Sequence, residues 1–374
     1  MDLELAEDRL FFQQNTRRFL ERESPVERVR ELHRTEHGVD PAWWQRAAEL
    51  GWTSLLAAED DGGGSLSGNP VQDAVIVAEE LGRMVGPGPF LPTNVVISAL
   101  SAGGSAGLKE EHLPGLLEGS TTAAWALAEQ GGWAPGDVRT EARVEGDEVV
   151  LTGEKAYVEA GAAADVVLVV ARTGDGLTQV LVPRDHPGVT VVPGHSLDLV
   201  RRFARLRFDE VRLPGTAVVG EPGGADGGVE RQLQLALTLQ SAESVGLMDR
   251  VFEFTFAYMG DRYAFGRPIS SYQALKHRVA DMLLHLESAK ATTDAAARAL
   301  DERDPEVARL VRIAAAYVGD TAVTFIQECV QLLGGIGVTW EHDIHLYLRR
   351  ATLNRAVLGA PEQHREQIVV RLGV

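Results

Sequence analysis

From Val229 to the C-terminus, apolar residues recur at helical spacing over four long segments, about 229–260, 271–300, 306–333 and 341–357, followed by a final piece at 362–372. Each segment has an apolar stripe to bury, and short links make successive helices antiparallel neighbours, so this third of the chain predicts an up-down four-helix bundle. Leu275, Val279, Met282 and Leu286 mark one such stripe. Between Thr121 and about Val219 the pattern changes to short β-branched runs bounded by glycine: VVLTG, DVVLVVAR, TQVLVPRD, VTVVPG and ARLRFDEVRLPG. Strands at such close intervals predict an antiparallel β-domain rather than βαβ units. The first ~118 residues read as helical. Leu10, Phe11, Thr16, Phe19 and Leu20 form one periodic face and Trp43, Trp44, Ala47, Leu50 and Trp52 another. A further helix runs over Val71–Met84, before Pro87, Pro89 and Pro92 break the chain. The expected fold class is therefore α+β, with an N-terminal helical domain (1–120), a central antiparallel β-domain (121–222) and a C-terminal four-helix bundle (223–374).

A length of 374 residues accommodates two or three such parts. The formal charge of −18 disfavours nucleic acid and anionic membrane surfaces as partners, but does not bear on a small anionic ligand, which local patches decide. Cys329 is the only cysteine, so there is no internal disulfide and no cysteine metal cluster, and cytoplasmic residence fits. The start, MDLELAEDRL, is acidic and lacks a signal-like apolar core, and no apolar run is expected to span a bilayer. His342 and His345 lie at i and i+3 without a third ligand, so no metal site is expected. Ser241 and Ser244 share a helix with Glu243, but no histidine completes a triad.

Two stretches carry more information. Asp261–Met282, DRYAFGRPISSYQALKHRVADM, places an Arg, an aromatic and a Gly at one helix end, crosses a Pro-marked turn and enters the next helix. An Arg there offers a planar fork of donors suited to phosphate. Gln331–Arg350, QLLGGIGVTWEHDIHLYLRR, ends one helix in glycines before another begins. Adjacent glycines let a backbone approach a ligand and present its N–H groups. It is not a dinucleotide fingerprint, because no strand precedes it and the spacing differs.

Together the two stretches resemble the acyl-CoA dehydrogenase family, over nearly the whole chain. The matching residues are Arg262, Phe265, Gly266, Pro268, Ile269, Gln273, Ala280, Asp281 and Met282, then Gln331, Gly334, Gly335, Gly337, Thr339 and Glu341. The resemblance implies FAD as cofactor, an acyl-CoA substrate and an electron-transfer flavoprotein as acceptor. It also implies that Arg262, Phe265, Ile269, Tyr272, Gln273, Gln331, Gly334 and Gly335 reach across an interface to hold the adenosine diphosphate half of an FAD bound mainly by a neighbouring subunit.

The same resemblance exposes what is altered. Removing the α-proton of a thioester needs a carboxylate in contact with it. Where family members carry that Glu late in the bundle, this chain has Leu358, and where some relatives carry it early in the first bundle helix, this chain has Ala236. Glu243 is on that helix two turns further on, about 10 Å away, and is the candidate for a relocated base. On the β-domain strand, Gly153-Glu154-Lys155-Ala156-Tyr157-Val158-Glu159-Ala160 puts Glu159 where the family has a small hydroxyl residue near the flavin ring. Upstream, Ala128-Glu129-Gln130 and the run to Asp137 depart from the family pattern as well.

The lending half-site is thus kept while the half-site for the chain's own use has drifted. That asymmetry predicts a subunit of a hetero-oligomer, an α2β2 assembly with a paired acyl-CoA dehydrogenase chain, of a kind that occurs in actinobacteria and often acts on steroid-derived thioesters. Two alternatives stay open at this point: a self-sufficient homo-oligomeric enzyme using Glu243, and a flavin-free acyl-CoA-binding protein of the same fold.

Overall fold

The computed structural model describes residues 6–372, so the acidic start over residues 1–5 lies outside the described residues. The chain divides into two compact units. One gathers the chain up to Leu10 with Arg30–Ala74 and Pro87–Ala236, and the other gathers Phe11–Val29, Val75–Gly86 and everything from Leu237.

The first unit contains helices α3 (Pro41–Glu49), α5 (Phe90–Gly103) and α6 (Ala106–Leu117) and an eight-stranded sheet. Asp40 caps α3 by accepting the Ala42 N–H at 3.0 Å, with Pro41 in the first helical position where its missing N–H costs nothing. Trp43 meets Trp52 edge-on, and Trp52 meets Phe90 in the same way, which ties α3 to α5.

The strands are β1 (Ala123–Ala126), β2 (Glu141–Glu145), β3 (Glu148–Glu159), β4 (Val166–Thr173), β5 (Gly176–Pro183), β6 (Val189–Pro193), β7 (Phe203–Pro214) and β8 (Val218–Val219). Their order is β6-β7-β3-β2-β4-β5-β8, with β1 on β4. The pairings are antiparallel except that β1 runs parallel to β4 and β2 meets β4 in parallel at Glu141. β1 was not legible as a strand, because AAWA is buried throughout and shows no alternation. β7 alternates as expected, burying Leu206 and Phe208 while Arg205 and Arg207 face solvent.

The second unit is built on α7 (Asp226–Asp261) from Leu237 onward, α8 (Gln273–Asp301), α9 (Val307–Leu333), α10 (Ile344–Ala356) and α11 (Pro361–Leu372). α9 packs against α8, α10 and α11 and buries Val311, Val318, Phe325, Ile326 and Cys329. The span Val307–Val338 is long and apolar enough to cross a membrane by length and composition, which departs from the expectation that no run would be. Here it is a bundle helix with a buried stripe. Burial pushes the Cys329 thiol up to about 12.

Segments α1 (Glu7–Glu23), α2 (Val26–Leu32) and α4 (Pro70–Met84) each run through both units. On α1 the buried face is Phe12, Thr16, Phe19 and Leu20, whereas Leu10 and Phe11 are exposed, so the true stripe is one residue away from the expected start. In the second unit α4 crosses α7 with backbones in contact. A Cβ on Gly82 would sit 2.0 Å from the Glu243 carbonyl oxygen, and one on Gly246 would sit 1.9 Å from that of Glu79. Only glycine permits that approach, and it brings α4 carboxylates against α7.

Candidate cofactor clamp and catalytic positions

α7 ends at Asp261, and the next residues fold into a two-residue-loop hairpin, β9 (Tyr263–Ala264) on β10 (Arg267–Pro268). Its tip is Phe265 at φ +51 and Gly266 at φ +82. Positive φ at both central residues is the type I′ geometry, which normally calls for Asn or Gly first. Phe265 therefore holds a conformation costing about 1–3 kcal/mol, and its ring is 98% exposed. The turn thus lies at Phe265–Gly266, with Pro268 in the returning strand. The base of the hairpin is fixed by the Arg267 guanidinium 4.0 Å over the Tyr272 ring and by the Tyr272 hydroxyl donating to the Ala264 carbonyl at 2.9 Å. The Ile269 N–H also donates to the Arg262 carbonyl at 2.8 Å. Among the described residues the Arg262 side chain has no hydrogen-bond or ion-pair partner, and Arg262 and Gln273 are both exposed.

The second piece follows α9. Gly334, at φ +65, caps the helix by donating to the Gln331 and Val330 carbonyls and leads into a short 3-10 turn, Gly334–Val338. Gln331, Gly334 and Gly335 are exposed, and a Cβ on either of these glycines would meet nothing within 4 Å. The up-down order puts the end of α7, the start of α8 and the end of α9 at the same end of the bundle. Contact of Phe252 with Phe325, and the Arg278–Glu328 ion pair, confirm that placement. The bundle thereby brings the two sequence motifs to one end, open on the outside.

The base positions are closed. Leu358 is buried at φ +64, and Ala236 is fully buried. Glu243 is held by its neighbours: Arg350 Nη1 donates to Oε1 at 2.5 Å and Asn354 Nδ2 to Oε2 at 2.8 Å. Arg350 is itself fully buried and also donates to the Gly86 carbonyl. A carboxylate with both oxygens engaged serves as an anchor between α7 and α10. His364, beyond the Leu358 turn, meets the Gly359 carbonyl through Nε2 at 3.1 Å, and burial pushes its imidazole down to about 4. Ser241 and Ser244 donate back to carbonyls one turn earlier on α7. His342 and His345 are taken up locally, His342 Nδ1 by the Ile344 N–H and His345 by stacking on Trp340.

The β-domain strand β3 carries the third set. Lys155 is fully buried, with Nζ 3.0 Å from the Leu127 carbonyl and 2.7 Å from Glu129 Oε1. Burial pushes this ammonium down to about 8 against the pull of Glu129. Burial also works against the Glu129 carboxylate, yet Lys155 and the bonds from Thr140 carry its pKa below the ordinary value. Two β3 residues, Ala156 and Tyr157, oppose the single Arg205 of β7, a β-bulge that turns Tyr157 outward at φ +53. Trp133 stacks on the Tyr157 ring, centroids 6.2 Å apart. At the strand end, Arg201 Nε donates to Glu159 Oε1 at 2.9 Å and Nη2 to Oε2, forming a bidentate and largely buried pair. Asp198 sets up that arginine by accepting the N–H groups of Val200 and Arg201, both at 2.8 Å. Neither the Lys155–Glu129 pair nor the Trp133 stack follows from local sequence, since each joins residues more than twenty positions apart.

Three family models cover almost the entire chain: the acyl-CoA dehydrogenase N-terminal domain over residues 6–120, the middle domain over 124–211 and the C-terminal domain over 229–373. The chain belongs to the acyl-CoA dehydrogenase family. Members of that family are FAD-dependent oxidoreductases acting on acyl-CoA thioesters. The acyl-CoA dehydrogenase IpdE2 of Mycolicibacterium smegmatis is 32% identical over 363 residues, covering 96% of this chain and 97% of that protein. The butyryl-CoA dehydrogenase of Megasphaera elsdenii shares the acyl-CoA dehydrogenase fold, with a TM-score of 0.91 at 23% identity over the full length of both chains. A chain of the ChsE4-ChsE5 complex of Mycobacterium tuberculosis matches with a TM-score of 0.88 at 26% identity, covering 100% of this chain and 99% of that one.

Proposed function

We propose that this chain is the base-lacking subunit of a cytoplasmic hetero-oligomeric acyl-CoA dehydrogenase, completing the FAD site of a paired subunit in an α2β2 assembly. The observation that carries the reading is the closed state of all three base positions: Leu358 and Ala236 have no titratable group, and Glu243 is spent on Arg350 and Asn354. The clamp supports it from the other side. The Arg262 fork, without a partner among the described residues, and the open Gly334–Gly335 backbone fit the phosphate end of a flavin nucleotide, and Phe265 and Gln331 are exposed as well. The ring end of the chain's own half-site fits poorly, because Glu159 is locked to Arg201 and Trp133 covers one face of Tyr157. The likeness to a chain of a two-component complex agrees with this division.

When bound, FAD supplies the hydride-accepting chemistry. The residues of this chain position it. Arg262 would pair with phosphate oxygens, the glycine N–H groups would share that charge, and the strained Phe265 tip would cover the nucleotide from solvent. No residue here takes the α-proton, so the paired subunit supplies that carboxylate, and an electron-transfer flavoprotein takes the electrons.

The test is flavin stoichiometry. The chain purified alone should carry almost no FAD and have no activity, whereas co-purification with the paired subunit should give one FAD per heterodimer. Stoichiometric FAD with acyl-CoA turnover by the chain alone would overturn the proposal.

A further inference from the structure

The Phe265–Gly266 turn is supported from its base alone. The tip is unfavourable by itself, since Phe265 sits at φ +51, and strain of that kind persists only where surrounding contacts over-determine the conformation. Among the described residues nothing packs on the tip: Phe265 is 98% exposed, and a Cβ on Gly266 would meet nothing within 4 Å. The ladder consists of Arg267 opposite Ala264 and Pro268 opposite Tyr263. A hairpin that short is marginal without further support.

The support converges on Tyr272, immediately before α8. Its hydroxyl donates to the Ala264 carbonyl of β9 at 2.9 Å. Its ring lies under the guanidinium of Arg267 on β10, 4.0 Å from the central carbon to the centroid. One side chain thus grips both strands. Arg267 is exposed, and no carboxylate pairs with it among the described residues, so its charge is spent on the ring. An exposed contact of this type shifts a closing equilibrium by about two- to fivefold. The same closure fixes Arg262 at the foot of the hairpin, where its carbonyl accepts the Ile269 N–H at 2.8 Å.

We propose that Arg267 is a positioning residue of the flavin-nucleotide clamp. It latches the hairpin shut through Tyr272, and so sets the place from which Arg262 reaches phosphate, without itself touching the nucleotide. The ring and the hydroxyl of Tyr272 serve the hairpin rather than the cofactor. This assignment rests on the reading of Arg262 and its neighbours as the clamp.

Amide hydrogen exchange over Asp261–Tyr272 in the flavin-free full-length chain reads the latch with no cofactor present. Arg267→Met keeps the aliphatic stem, removes the cation and should speed exchange of this segment about two- to fivefold. Arg267→Lys keeps a cation over the ring and should stay closer to the native rate. In a Tyr272→Leu background, where the ring is gone, Arg267→Met should add nothing. The replaced arginine is exposed, so folding is not at risk. Equilibrium dialysis of FAD with the paired assembly reads the clamp. There Arg267→Met should weaken retention at least twofold, because a marginal hairpin passes its shift in closure on to binding. Arg262→Ala should weaken it about tenfold or more while exchange stays native. Unchanged exchange in Arg267→Met, or an equal effect in the Tyr272→Leu background, would overturn the proposal. Weaker retention with native exchange in Arg267→Met would overturn it too, by placing that arginine on the nucleotide itself. Retention lost in Arg262→Ala but kept in Arg267→Met removes the latch alone, whereas retention kept in both removes the clamp reading and the latch with it.

Discussion

Glu243→Gln separates an anchoring carboxylate from a catalytic one. Arg350 is 1% exposed at its side chain and Glu243 14%. Two unit charges at about 4 Å attract by ~4 kcal/mol at an effective dielectric of about 20, and desolvation of both groups offsets much of that. Removing one partner leaves the other charge buried, which typically costs about 3–5 kcal/mol. Because the glutamine still accepts one bond and Arg350 keeps the Gly86 carbonyl, the lower end applies, about 3 kcal/mol. At roughly 2–4 °C per kcal/mol for units of this size, Tm should fall by about 6–12 °C. Arg350→Met should cost a similar amount, and the double variant clearly less than the sum, with a coupling of about 1.5 kcal/mol or more. Thermal unfolding of the four proteins measures this. In the assembled enzyme the glutamine variant should keep its turnover at temperatures where it is folded. A variant with unchanged Tm and retained FAD but abolished turnover would refute the reasoning, because the carboxylate would then be acting on substrate.

Three further outcomes are expected. Phe265→Gly removes a side chain from a positive-φ position, so it should raise stability by about 1 kcal/mol while weakening FAD retention in the hetero-oligomer, read by equilibrium dialysis. Burial, then repulsion from Asp294 and Glu80, holds the mostly buried Glu79 carboxyl up at about 8, against the pull of Lys290. A raised pKa makes its contribution full below about pH 4.5 and lost as pH rises through 8, so Tm should drop between pH 6 and 9 by several degrees, about 1–2 kcal/mol, and Glu79→Gln should flatten that slope. The Cys329 thiol is buried and pushed up to about 12, so its labelling by a disulfide reagent at pH 8 should proceed only at the unfolding rate, and faster labelling would reveal local opening of α9.

What the sequence determined by itself is whatever depends on nearest neighbours along the chain. The 3.6-residue period of α8 and α9 and the period-two alternation of β7 mark their own elements, because each pattern is a stripe that must face inward. The absence of a titratable group at Leu358 and Ala236 was equally visible, since side-chain chemistry is independent of folding. Tertiary structure alone decided which charges spend one another. Glu243 finds Arg350 and Asn354 across α7 and α10, Glu159 finds Arg201, and Lys155 finds Glu129, pairs that no local spacing encodes. It also decided backbone geometry that breaks local preference: the bulge at Ala156–Tyr157, the positive-φ Phe265 and the Gly82–Gly246 crossing. Each of these is unfavourable or indifferent in isolation and is held by contacts from residues distant in sequence, so only the packed fold could specify it.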